Sequence, residues 1–260
     1  MTDEKNGSAD PKVVLITGGA KGIGLATAQA FTDMGWNVVI CGRDRVALQS
    51  AAESLRRRTS NASVIAMEMD VTDSQSIDNI FQQVRNRLGP VSVLVNNAGI
   101  IARGPAKDLS EDEWRRVLET DLTGVFLCSK AAFSHMSNLG GGSIINVGSI
   151  AGFVGLAGRL AYTTAKAGLS GFTRTLALEW AKDGIRVNTV APGWTRTEMV
   201  VKGLQAGLLD ENVLVERIPQ KRLADPSEIA SAVRFFASPE SSYVTGQTLI
   251  VDGGFTINGH

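Results

Sequence analysis

The sequence holds only two cysteines, Cys41 and Cys128, which lie in separate apolar segments without metal-ligand spacing. That excludes a disulfide framework and a cysteine-built metal site, and the pair reads as two small buried hydrophobes in a reducing compartment. Net charge is also lacking, because 26 Lys and Arg balance 26 Asp and Glu. Without a dense Lys/Arg stripe, no nucleic-acid partner is expected. No long apolar run exists either. The longest weakly polar one, residues 144–162, is broken by Asn146, Ser149, Arg159 and several glycines, which excludes a bilayer span. The opening MTDEKNGSADPK has no apolar core of the kind a signal peptide needs, so residues 1–11 are expected to form a disordered polar tail and the protein to be cytoplasmic.

What is present is an α/β alternation. Short β-branched runs start at residues 13 (VVLIT), 37 (NVVIC), 63 (SVIAME), 91 (VSVLV), 143 (SIINV), 185 (IRVNTV) and 247 (QTLIVD), with helical patterns between them. Runs this continuously apolar are buried on both faces, and right-handed crossovers put helices on both sides. The expected fold is one α/β domain over 12–260, a Rossmann-like, doubly wound, seven-stranded parallel sheet. The stretch 194–219, before a helix start at Pro226, is expected to be a substrate lid.

The first strand runs into TGGAKGIG and then a helix. In such a sheet this turn lies where a phosphate meets free N–H groups at a helix N-terminus, and a bare backbone at Gly18, Gly22 and Gly24 permits its close approach. The spacing G-x-x-x-G-x-G is neither the G-x-G-x-x-G dinucleotide fingerprint nor a P-loop.

Further motifs follow in order: VLVNNAGI (93–100), INVGSIAG (145–152), AYTTAKAGL (161–169), IRVNTVAPGWTRT (185–197) and YVTGQTLIVDGG (243–254). Together with the glycine turn they resemble the short-chain dehydrogenase/reductase family over about residues 12–254. The resemblance implies a nicotinamide cofactor on Gly18, Lys21, Gly22, Ile23 and Gly24. Asp70 and Val71 would then flank the adenine, while Asn96 and Gly99 line the cleft and Asn97 braces the sheet. Pro192, Gly193, Thr195 and Thr197 would meet the nicotinamide end. No metal is implied.

Tyr162 and Lys166 are four residues apart and so share a helix face, where a cation favours the phenolate of a group whose free pKa is about 10. Tyr162 is thereby a candidate general acid/base, and Ser149 lies just past a strand end on the same side of the sheet. By resemblance, Ser149 polarises a substrate carbonyl and Tyr162 passes the proton. Lys166 lowers the tyrosine pKa and holds the nicotinamide ribose. Asp121 stands where the family usually has the Asn of a water-mediated relay. Its spacing from Trp114 and Val117, on a helix opening at the capping box SEDE (110–113), points it inward. It is expected to keep that role, linked indirectly to Lys166.

The second strand ends VVICGRD. Gly42 stands where NAD-preferring members carry an acid, and the cations Arg43 and Lys21 suit a 2′-phosphate. NADP(H) is therefore expected, although Asp44 could reach the ribose instead. The substrate wall is assigned to Ile100, Ile101, Arg103, Ile150, Phe153, Leu156, Arg159, Trp194, Met199, Val200 and Leu204. Arg103 and Arg159 are either solvated rim residues or contacts for a carboxylate or phosphate. The substrate is a small carbonyl compound or alcohol, and the sequence resembles both 3-oxoacyl-thioester reductases and sugar-acid (gluconate) dehydrogenases. Family members commonly form homotetramers. The competing class is a nucleotide-binding regulatory protein that keeps the fold without turnover.

Overall fold

In the computed structural model, which describes residues 12–258, all seven expected strands form. The expectation for residues 1–11 lies outside the described residues. The strands are β1 Val13–Thr17, β2 Asn37–Gly42, β3 Val64–Glu68, β4 Val93–Asn96, β5 Gly142–Val147, β6 Ile185–Pro192 and β7 Thr248–Val251. They make one parallel sheet in the order β3-β2-β1-β4-β5-β6-β7. The order reverses between β1 and β4, which pair at Ile16 and Val95, so the helices leaving these strands diverge and open a crevice at their carboxyl ends.

Side chains alternate across this sheet, which is why its inner strands read as unbroken apolar runs. On β1, Val14 and Ile16 join one buried core with Phe31, Ile40 and Phe236. Val13 and Leu15 join the other, with Phe81, Leu94, Met136 and both cysteines. Burial raises both thiols, Cys128 to about 12. β7 departs from this pattern: it is half-exposed and Leu249 remains open to solvent. Among the described residues it pairs only with β6.

Nine helices are present among the described residues: α1 Gly22–Asp33, α2 Arg45–Arg56, α3 Ser74–Leu88, α4 Glu111–Leu118, α5 Gly124–Asn138, α6 Leu160–Trp180, α7 Glu198–Gln205, α8 Glu211–Glu216 and α9 Pro226–Ala237. Six of them, α2, α3, α4, α7, α8 and α9, start at a side-chain oxygen that accepts a first-turn N–H group. Ser110 accepts from Glu113, and Asp225 closes a capping box with Glu228 ahead of Pro226. The helical pattern from Ser110 is not uniform, since a wide π turn at Glu119–Thr123 separates α4 from α5 and buries Thr120 and Asp121. Such turns recur at functional sites. Residues 194–219 hold α7 and α8, whose Val200, Leu204 and Leu214 pack against Ile150, Ile218, Leu223 and Phe255.

Candidate active site

The glycine turn closes over the end of β1. Gly18 and Gly22 take left-handed φ values of 64° and 52°, which only glycine adopts without strain. Gly24 is fixed by contact: a Cβ there would lie 2.3 Å from the Gly18 carbonyl oxygen. Asn97 braces the turn by donating from Nδ2 to the Thr17 and Gly18 carbonyls, both at 3.0 Å. Lys21, the residue before α1, supplies no side-chain cap, and the first turn contains no acid. The helix N-terminus therefore faces the crevice with its positive end uncompensated.

At the end of β5, the Ser149 hydroxyl accepts the Ala151 N–H at 3.1 Å, which holds the side chain at the start of a short 3-10 turn. From α6, Lys166 Nζ donates to the Val147 carbonyl at 3.1 Å and lies 5.6 Å from the centroid of the Tyr162 ring. Asp121 meets this lysine directly, with Oδ2 at 3.3 Å from Nζ, where the sequence suggested an indirect link. Both side chains are almost fully buried, at 5% exposure for Lys166 and 0% for Asp121. Oδ1 accepts the Ile100 N–H at 2.8 Å. Oδ2 accepts no aligned hydrogen bond, so its contact with Nζ is an ion pair in the plain electrostatic sense. Burial pushes the Asp121 carboxyl up against the pull of Lys166 and the Ile100 N–H. For Lys166 burial acts downward, yet the charge of Asp121, followed by Tyr162, holds the ammonium above its usual range.

These pieces surround one cavity of about 480 Å³. Its walls include Gly18, Lys21, Gly22 and Ile23 from the turn, then Gly99, Ser149, Tyr162 and Lys166, and Pro192, Gly193, Thr195 and Thr197 beyond β6. Of the assigned substrate wall, Ile101, Arg103, Ile150, Leu156, Arg159, Trp194, Met199 and Val200 line it. Ile100, Phe153 and Leu204 do not. Ile100 packs beside Val117 and Ala161, Phe153 is exposed, and Leu204 packs toward α8. Gly24 and Asp121 stand behind the wall.

Asn96 also lies away from the cavity. Its amide is buried and donates to Ser129 Oγ at 3.1 Å and Asn146 Oδ1 at 2.9 Å, and Asn146 in turn reaches Thr173. It belongs to a polar thread under the sheet. Arg43, Asp70 and Val71 lie outside the cavity walls, at the ends of β2 and β3. The Asp70 carboxyl is lowered by the Thr72 N–H and hydroxyl and, more weakly, by Arg43. Lys21 pairs with Asp44 at 3.3 Å and lies 3.8 Å from Glu198. Sequence reasoning missed Glu198 and Lys202, cavity residues that pair with each other at 2.7 Å. Their only signal was an i,i+4 acid–base pair just after Thr197.

A family profile described as Enoyl-(Acyl carrier protein) reductase matches residues 18–256. The 3-oxoacyl-(acyl-carrier-protein) reductase of Vibrio cholerae is 40% identical over 245 residues, covering 94% of this chain and 96% of that protein. The cis-4-hydroxycyclohexanecarboxylate dehydrogenase of Sinomonas cyclohexanicum is 43% identical, again covering 94% and 96%. Among solved structures, a variant of actinorhodin polyketide ketoreductase with NADPH superposes with a TM-score of 0.90 at 35% identity, covering 95% of this chain and 98% of that one.

Proposed function

Because the chain belongs to the short-chain dehydrogenase/reductase family of oxidoreductases acting on CH–OH groups, we propose that it interconverts a ketone and a secondary alcohol with NADP(H) at Ser149, Tyr162 and Lys166. The observation that carries this reading is that all three open into the cavity the glycine turn also lines. The residues present fit the cofactor. An uncapped helix N-terminus suits a pyrophosphate, and a side chain at Gly22 would meet Thr197 at 3.3 Å in the same space. Gly18, Gly22 and Ile23 would hold the pyrophosphate, with Gly24 shaping the turn behind them, Asp70 and Val71 would flank the adenine, and Pro192, Gly193, Thr195 and Thr197 would meet the nicotinamide end beside Gly99. Lys21 and Arg43 would receive the 2′-phosphate.

When bound, the reduced cofactor supplies a hydride to the carbonyl carbon. Ser149 donates a hydrogen bond to the carbonyl oxygen. Tyr162 delivers its proton to that oxygen, and the Lys166 ammonium stabilises the phenolate left behind. Lys166 would also hold the nicotinamide ribose. Asp121 is a positioning residue, since it touches the reaction only through Lys166. Oxidation of the alcohol reverses each step.

The test is NADPH consumption against 3-oxoacyl thioesters, keto sugar acids, cyclic ketones such as 4-oxocyclohexanecarboxylate, and aryl ketones, with Tyr162→Phe alongside. Removing the acid/base should cost roughly 100- to 10,000-fold in kcat and leave NADPH affinity unchanged. An unaltered rate in the mutant removes Tyr162 from the chemistry. The chain works as a homotetramer in this reading, supported by apolar side chains left open along β7 and α6.

A further inference from the structure

The cavity walls carry five cationic side chains, Lys21, Arg103, Arg159, Lys166 and Lys202, against a single carboxylate, Glu198. Glu198 is engaged by Lys202 at 2.7 Å and Lys21 at 3.8 Å. Lys166 has Asp121. Arg103 and Arg159 have no carboxylate within ion-pair distance among the described residues. The two loops that bear them are joined by a backbone hydrogen bond, Gly104 N–H to the Gly158 carbonyl at 3.0 Å.

Arg159 is half-buried, and its guanidinium lies over the Trp194 ring, 5.0 Å from its centroid, at cation–π distance. Burial first, and the like charge of Arg103 second, act to lower its pKa. A guanidinium stays charged under such pressure, so the site holds two neighbouring cations with no anion of the protein's own. Arg159 also immediately precedes α6, three residues before Tyr162, and both line the cavity.

We propose that Arg103 and Arg159 form a subsite for a carboxylate on the substrate, so that the preferred substrate is a small ketone or secondary alcohol that carries a free acid group. This rests on the oxidoreductase reading for the word substrate, but not for the binding of the acid. A bound carboxylate supplies the missing counter-charge, and a planar anion matches the guanidinium donors in a way an ester or amide does not. An uncharged chain end gains nothing from either arginine. Phosphate shares this chemistry, so the test separates the two.

Cyclohexanecarboxylate, its methyl ester and inorganic phosphate are titrated calorimetrically into the full chain saturated with NADP⁺. The same titrations use Arg103→Gln, Arg159→Gln and the double variant. The acid should bind at least ten-fold tighter than the ester and ten-fold tighter than phosphate, and lose at least ten-fold in the double variant while NADP⁺ affinity stays the same. Equal binding of acid and ester, a preference for phosphate, or variants that bind the acid as well as the parent overturns the subsite. In parallel, kcat/KM is measured for 4-oxocyclohexanecarboxylate and its methyl ester. The acid should lead by at least ten-fold and the variants should lose that lead, their unchanged NADP⁺ affinity showing that they are folded. If no ketone is reduced but the acid still binds through the arginines, the redox reading fails and the subsite stands.

Discussion

Asp121 shows how one atom's chemistry can recast a site without changing its shape. Its negative charge is the largest force holding the Lys166 proton, and burial works against it. Replacement by the near-isosteric amide in Asp121→Asn removes that charge and leaves the burial, so the lysine should lose its proton at lower pH. The alkaline limb of the kcat/KM profile should move downward, with activity at neutral pH kept within about ten-fold; a profile that does not move shows that the carboxylate does not govern Lys166. Stability follows the same sign. A lysine raised above its usual 10.5 contributes stability that is complete below that pH and lost as pH rises through the higher folded value. Asp121→Leu, which leaves a buried ammonium with only the Val147 carbonyl, should cost about 3–5 kcal/mol in denaturant unfolding. The Tyr162–Lys166 relation was legible because four residues on a helix always meet. The direct contact of Lys166 with Asp121 was not, because it depends on how α4 and α5 dock on α6.

At the scale of elements, the proposed cofactor preference rests on the turn after β1 and the end of β2. A methyl group at Gly24 would strike the Gly18 carbonyl and the Asn97 amide, at 2.3 and 2.5 Å. Gly24→Ala should therefore destabilise the fold by about 1–3 kcal/mol, seen as a Tm several degrees lower, and weaken NADPH binding; an unchanged melt means the turn gives way more easily than its packing implies. At the end of β2, a Cβ on Gly42 would meet only Leu48, at 3.9 Å. An acid fits there, so Gly42→Asp should lower kcat/KM for NADPH about ten-fold or more and raise it for NADH. If the ratio of the two is unmoved, the 2′-phosphate lies elsewhere. The glycine turn was readable because its backbone demands leave glycine in the sequence. The π turn at Glu119–Thr123 was not, since Val117, Asp121 and Val125 keep an ordinary helical spacing through it.

For the whole molecule, the alternation of apolar runs and helical stretches was enough to read seven strands, because a sheet covered on both faces leaves no polar side. β7 is where that reasoning stopped. It has the same apolar run as the inner strands, yet Leu249 is exposed, and so are Leu178 on α6, at 82%, and Ile257 beyond β7, at 87%. The described residues of one chain give these side chains no cover, and the sequence signal for burial by a sheet partner and by a second copy is the same. A homotetramer predicts four times the chain mass of 27.6 kDa in solution by light scattering; a mass of one chain at micromolar concentration contradicts it. The crevice that this architecture builds between β1 and β4 is the reason for placing turnover at Ser149, Tyr162 and Lys166. The most direct test is single-turnover oxidation of bound NADPH by a reducible ketone, followed by cofactor fluorescence in the parent and in Tyr162→Phe. Tight NADPH binding in both with rapid oxidation only in the parent is the predicted result. Equal rates in both, or binding in both with no oxidation by any ketone of the panel, would contradict it.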